Sequence, residues 1–292
     1  DAAGRRLCER IRRVVRGDLR FFGPTRPANH NPAIGVCIVA GLKNSYDSGL
    51  STPSRERTHM PRTRILMSAM TFALLIASFT CAFAQDANRL VAAGGISVPG
   101  WVGKVDASAE RDGQTVKDAK LAPEGAALHV ITGPAVTYWN PANQATGNYT
   151  VKATFTESKY MNLNDHPHPY GIVIAGNDLG TAQQSYLYCA AYGNGTFIVR
   201  GFGPQAFQMN GMGAANAAVH KAAGVGQPVT QEIALSVKGT RVECAINGTV
   251  VAGYDKAALV TSGKLKSTDG VYGIRFAHNT EATVAGLTVT KQ

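Results

Sequence analysis

The sequence predicts an all-β domain, a sandwich or a barrel, and three observations carry that prediction. Apolar and polar residues alternate with a period of two in short runs, and Gly, Asn and Asp separate the runs. Apart from a weak "GAANAAVHKAAG" (213–224), no stretch of useful length repeats with the period of a helix. Successive side chains on a strand point to opposite faces, so strict alternation marks a strand with one face buried. Many such strands joined by turns close into two packed layers or a barrel.

The clearest element is "NYTVKATFTESKY" (148–160), where Tyr149, Val151, Ala153 and Phe155 point one way and Thr150, Lys152 and Thr154 the other. In chain order the further strands are "AALHVI" (126–131), "AVTYW" (135–139), "GIVIAG" (171–176), "SYLYCAAY" (185–192) and "TFIVRGF" (196–202). They continue with "EIALSVK" (232–238), "TRVECAIN" (240–247), "GVYGIRFAH" (270–278) and "ATVAGLTVT" (282–290). The Asn-Gly pairs in "YGNGTF" and "INGTVV" suit tight hairpins, which need a positive φ. Residues 203–228 form the one long connection. Its Ala/Gly composition suits a cover or rim better than a catalytic loop.

Ahead of this domain, residues 60–84 read as an export signal. Arg62 and Arg64 give a positive start, "AMTFALLIASF" (69–79) gives eleven residues of apolar core, and Ala82-Phe83-Ala84 puts small residues before a cut at Gln85. The competing reading is a membrane anchor, since Ile65 to Ala84 is an uncharged run of twenty residues. The short core and the lack of a following positive cluster favour cleavage after Ala84, hence a secreted or periplasmic protein with no integral membrane span in its mature chain. Residues 1–59 carry 11 basic and 5 acidic side chains. They read as upstream mistranslation or a disordered basic leader rather than a nucleic-acid face. The whole chain has a net charge of +10, but residues 85–292 account for only +2 of it, so no nucleic-acid partner is expected. Those 208 residues suit a single domain, long enough to bury a core.

The densest cluster of chemistry-bearing residues is "KYMNLNDHPHPYG" (159–171). The two prolines hold an extended backbone on which His166 and His168 share a side, with Asp165 adjacent. A pair of histidines alone does not make a metal site, so no metal is assigned, and a rigid loop displaying ordinary surface histidines is the competing reading. Tyr160 and Tyr170 flank the cluster and either stack on a sugar ring or pack in the core. Trp139 reads as core or rim. Arg200 alternates away from Phe197 and Val199, toward ligand or toward solvent. The tentative ligand-binding set is therefore Tyr160, Asp165, His166, His168, Tyr170 and Arg200. Cys189 and Cys244 both fall on the apolar phase of their strands, as a disulfide in an exported protein or as two buried thiols.

The segments "EIALSVKGTRVECAINGTVVAGYD" (232–255) and "GVYGIRFAHNTEATVAGLTV" (270–289) resemble the concanavalin A-like lectin/glucanase superfamily. That superfamily pairs a strand ending in an Asn-Gly turn with a later G-x-x-G-(I/L)-R strand. Upstream, "ALHVITGPAVTYWNPA" (127–142) and "GNYTVKATFTES" (147–158) resemble its branch of 3-keto-disaccharide hydrolase-like domains. The resemblance implies a two-sheet antiparallel β-sandwich, the concanavalin A-like jelly roll, with a carbohydrate-facing concave surface. The Glu-x-Asp-x-x-Glu strand of the superfamily's retaining glucanases is missing, as are a nucleophile elbow, a P-loop and a zincin helix. No catalytic residue is assigned and no cofactor is implied. The expected function is that of an exported, lectin-like protein with a carbohydrate ligand. The alternatives are a hydrolase or lyase acting on oxidised glycosides, of the 3-keto-disaccharide type, and a structural or adhesion module without a small ligand.

Overall fold

Period-two alternation sorts the side chains of each strand onto two faces, and the apolar faces of two sheets close on each other. The computed structural model describes residues 87–211 and 213–292; the basic leader, the export signal and the cut expected after Ala84 lie outside the described residues. The strands are β1 (Gly95–Ile96), β2 (Val102–Val105), β3 (Ala119–Glu124), β4 (Ala127–Thr132), β5 (Val136–Ala145), β6 (Tyr149–Glu157), β7 (Tyr170–Asn177) and β8 (Ser185–Tyr192). They continue as β9 (Thr196–Phe202), β10 (Ala206–Gln208), β11 (Ala214–Ala215), β12 (Val229–Lys238), β13 (Arg241–Ile246), β14 (Thr249–Asp255), β15 (Gly270–Phe276) and β16 (Glu281–Lys291). Among the described residues, helix is confined to α1 (Ala107–Arg111), α2 (Lys256–Leu259) and a single 3-10 turn at Val116–Asp118.

The first sheet has the order β1-β3-β4-β16-β6-β12-β13-β14, the second β10-β9-β8-β7-β15-β5-β2, with β11 beside β9. The two-residue pairing of β1 with β3 is parallel. The other pairings between these strands are antiparallel, so the two-sheet antiparallel sandwich is the observed fold. The hairpin between β13 and β14 turns on Asn247 and Gly248, at φ 50° and 80°, as a two-residue turn matched to the twist of its strands requires.

Three expectations need correction. The long connection 203–228 is not one loop, because β10 and β11 both pair with β9 and extend the edge of the second sheet. The weakly helical "GAANAAVHKAAG" forms no helix; two of its alanines pair as β11 instead. Strands β2, β3 and β14 were absent from the sequence reading, since "VGKV", "AKLAPE" and "TVVAGYD" are short, edge-placed or unalternating.

The core lies between the sheets. Tyr149, Val151, Ala153 and Phe155 of β6 are buried in it, facing Tyr170, Ile172, Ile174 and Leu187 of the second sheet. The Phe155 ring stacks 5.6 Å from that of Tyr170, and the Phe276 ring lies 6.0 Å from Phe155. A disulfide joins Cys189 on β8 to Cys244 on β13, one cysteine from each sheet, with Cα atoms 6.2 Å apart. It closes a loop of 55 residues, worth about 4 kcal/mol of unfolded-chain entropy.

Candidate functional site

The outward face of the second sheet is where the sequence departs from an ordinary solvated surface. Strand register lines up one row across it as Val102, Trp139, Gly273, Val173, Tyr188, Arg200 and Gln208. The neighbouring row runs Lys104, Thr137, Arg275, Gly171, Ala190 and Ile198. Val173, Tyr186, Tyr188, Ala190 and Ile198 form a second apolar cluster here, separate from the main core, with Phe202 and Tyr192 packed on it. At Gly171 an added Cβ would lie 1.9 Å from the Cys189 carbonyl oxygen. Only glycine fits, and the row stays low at that point.

Arg275 is 7% exposed, yet it points into this outward layer. Asp106, just ahead of α1, takes both ends of its guanidinium, with Nη1–Oδ1 2.8 Å and Nη2–Oδ2 2.6 Å. Nη1 also reaches Thr137 Oγ1 at 2.9 Å and Tyr186 Oη at 3.2 Å. The guanidinium carbon sits 5.1 Å from the Tyr188 ring centre and 4.9 Å from that of Phe202. Burial, the largest single influence, disfavours the charge, but Asp106, Tyr186 and Tyr188 together outweigh it and hold the arginine pKa well above the usual value. Burial also pushes the Tyr186 hydroxyl up to about 12, with Arg275 opposing. A two-pronged, stacked contact of this kind is specific to arginine.

A cleft of about 460 Å³ opens over this layer. Tyr188, Tyr192, Ala190 and Ile198 line its apolar part, with Arg200, Arg275 and Asp106 as its charged groups. His166, His168 and His278 line it as well. These histidines come from the β6–β7 loop and from the turn after β15, brought together by the sheet ladder. Phe276 pairs with Tyr170, and the Ala277 amide donates to the Pro169 carbonyl at 2.9 Å. One step further in that register brings His278 beside His168. The loop is tied down by Asn164 Nδ2, which donates to the Asn279 carbonyl at 3.0 Å, and by Arg89 Nε, which donates to the Leu163 carbonyl at 2.8 Å. His166 Nδ1 lies 2.5 Å from Asp165 Oδ1, and that hydrogen bond holds the carboxyl below its usual range. The Nε2 atoms of His166 and His168 approach to 2.7 Å, and the His168 and His278 rings stack at 4.0 Å.

With fold and cleft in view, the chain is similar to several solved structures. One is a carbohydrate-binding module, CBM66, from Bacillus subtilis: 9% identity, covering 68% of this chain and 99% of that one, TM-score 0.44. Another is a protein of unknown function with a galectin-like fold from Bacillus subtilis: 15% identity, 65% and 89% covered, TM-score 0.45. A third is the exoplasmic/lumenal domain of VIP36 in its Ca2+/Man-bound form: 8% identity, 67% and 84% covered, TM-score 0.43. At such identities and scores the likeness carries nothing about ligand or activity. No protein-family model matches the chain, and no curated protein matches it in sequence.

The sequence-predicted residues divide in two. Asp165, His166, His168 and Arg200 come together at the cleft, Asp165 through its bond to His166. Tyr170 does not. It is the first residue of β7 on the inward phase, fully buried against Phe155 and Phe276, and offers no surface to a ligand. Tyr160 is also packed away, with Val229 and Ala222 in a small cluster under the loop. Both tyrosines therefore fall outside the ligand-binding set, and replacing them with alanine would destabilise the fold. Trp139 is buried at 7% exposure. Four residues that build the cleft were missed: Tyr188, Tyr192, Arg275 and His278. The first two belong to "SYLYCAAY", a continuous apolar run that gives no sign of which face is outward. The pairing of Arg275 and His278 with their partners depends on ladder register, which the sequence does not show.

Proposed function

We propose that this protein is exported and binds carbohydrate in the cleft on the outward face of its second sheet. One observation carries the reading: Tyr188, Tyr192 and Ile198 line the cleft beside Arg200, which makes no ion pair among the described residues. A sugar ring presents an apolar face and a rim of hydroxyls, and needs such an aromatic floor with a few polar groups at its edge. Export is supported by the signal-like residues 60–84 and by the Cys189–Cys244 disulfide, a bond that persists in oxidising compartments.

A panel of mono- and oligosaccharides, read by calorimetry, tests the proposal. At least one sugar is expected to bind, and Arg200→Ala to weaken it about tenfold or more, since a hydrogen bond from a charged donor is worth about 1.5–3 kcal/mol. The melting temperature should stay unchanged. No binding by any sugar, or undiminished binding by the variant, overturns the proposal.

A second reading has one specific observation in its favour. The Asp165–His166 pair beside the cleft has the geometry of an oriented imidazole base, which suits an enzyme acting on oxidised glycosides. Turnover of 3-keto-glycosides that is lost in His166→Ala would favour this reading over simple binding.

A further inference from the structure

We infer that His166, His168 and His278 bind one divalent transition-metal ion of the zinc class at the end of the cleft. The inference stands on the histidines alone and does not rest on the carbohydrate reading.

Proximity is the first ground. One ring nitrogen from each of the three lies within 4.8 Å of the others. In a tetrahedral zinc site, with Zn–N near 2.0–2.1 Å, ligand nitrogens sit about 3.3–3.4 Å apart. Reaching that spacing takes side-chain rotation, since the His168 and His278 rings now stack with 28° between their planes. The χ2 torsion of histidine is broad and allows it.

The second ground is the tautomer pattern. Each ring has its Nδ1 against an oxygen acceptor: Asp165 Oδ1 at 2.5 Å for His166, the His278 carbonyl at 2.6 Å for His168, and Asn88 Oδ1 at 3.1 Å for His278. The Asn88 amide is itself oriented, because its Nδ2 donates to Gln114 Oε1. An Nδ1–H that donates leaves the lone pair on Nε2, the arrangement in which metal-binding histidines are held by a carboxylate or carbonyl behind them. The Nε2 atoms of His166 and His168 are 2.7 Å apart. Two lone pairs at that distance repel unless a cation lies between them, and the cation is either a proton or a metal.

The ligand set then names the class. Three neutral imidazoles favour zinc, copper, nickel or cobalt over the oxygen-seeking calcium and magnesium. Three protein ligands leave a fourth position, and since all three line the cleft, that position opens onto it. A water, or an oxygen of whatever fills the cleft, would complete the shell.

The test is titration of the chelator-stripped full chain with Zn2+ by calorimetry, and with Co2+ by visible absorption. The wild type is expected to bind one equivalent that His278→Ala weakens about a hundredfold or more, a larger loss than the 10–100-fold typical of removing a supporting residue. Asp165→Ala should fall in that supporting range. His129→Ala and His220→Ala, whose rings contact Glu281 and the Thr230 carbonyl elsewhere, should bind as the wild type does. His166 is exposed, so His166→Ala gives the answer even if His278→Ala does not fold. Wild-type affinity for Zn2+ no greater than that of the triple alanine variant, or full affinity and an unaltered Co2+ spectrum in His166→Ala, would overturn the inference and leave the short His166–His168 contact as a shared proton.

Discussion

The two sheets turn different outer faces to the outside, although both are built from period-two strands. On the first sheet, Thr150 meets Ser236 at 2.7 Å, Thr156 meets Thr230 at 3.0 Å, and Lys152 faces Glu232 at 3.5 Å. This is a solvated ladder of short polar and charged pairs. The corresponding face of the second sheet carries Val173, Tyr186, Tyr188, Ala190 and Ile198 around a buried Arg275. Antiparallel sheets normally have one wet face. A second apolar face with a cleft over it has a use other than holding the sheets together. The difference is why the proposed cleft is placed on one side of the sandwich, and the predictions below probe the contrast between the two sheets.

The largest expected effect comes from Arg275→Ala. Removing one partner of a buried pair leaves Asp106 uncompensated and costs about 3–5 kcal/mol. The Arg275–Thr137 and Arg275–Tyr186 contacts go with it. Denaturant midpoints of the single variant and of Arg275→Ala/Asp106→Asn measure this, the double variant recovering part of the loss. A cost below about 1 kcal/mol, the level of a surface pair, would mean that the outward face of the second sheet is as wet as that of the first.

The next effect concerns a charge placed on the inward side of the first sheet. Glu157 ends the buried phase of β6 at 4% exposure, with the Met161 amide donating to its Oε1 at 3.1 Å. Burial pushes its pKa from 4.5 up to about 7, the Met161 amide offsetting part of the rise. The folded protein therefore holds this proton more tightly than the unfolded chain does. The stabilisation is present in full below pH 4.5 and is lost as pH rises to about 7, a total of about 3 kcal/mol. Glu157→Gln should flatten that slope and be the more stable form at pH 8 by roughly 2 kcal/mol. Urea melts at pH 4.5 and pH 8 decide it. An unchanged slope would show that another group governs stability across that window.

How far the sequence reaches follows from the same contrast. Where one face is wet, alternation displays it: the inward and outward sets read from "YTVKATF" are those found in β6. Cys189 and Cys244, on the apolar phase of their strands, meet across the core for the same reason. On the second sheet both faces are apolar, so "GIVIAG" and "SYLYCAAY" reveal strands but hide Tyr188 as a cleft residue. The loop between β6 and β7 was legible as a site from its histidines and prolines. Its boundary, drawn one residue late, put Tyr170 in the loop when it begins β7. His278 lies 110 residues from His168 and reaches it only through the β7–β15 ladder. Pairing, unlike periodicity, is a property of two segments at once, and no single stretch of sequence carries it.

The smallest expected effect is the most demanding check on the contrast, because it calls for almost nothing to happen. Lys152 and Glu232 face each other on the first sheet with roughly half of each side chain exposed and a 3.5 Å separation. Exposed pairs of this kind contribute about 0–1 kcal/mol, since water screens the attraction and two long side chains lose freedom in making it. Neither residue packs on the core, as the inward neighbours Val151 and Ile233 do. Lys152→Ala and Glu232→Ala should therefore each change stability by no more than about 0.5 kcal/mol. Their double-mutant coupling should stay within the same range and shrink further in high salt. Sugar binding and Zn2+ binding should match the wild type in both variants, since the cleft opens on the other sheet. A loss of either ligand here, with the fold intact, would mean that the polar ladder of the first sheet is itself a binding face, and the assignment of function to one side of the sandwich would fail.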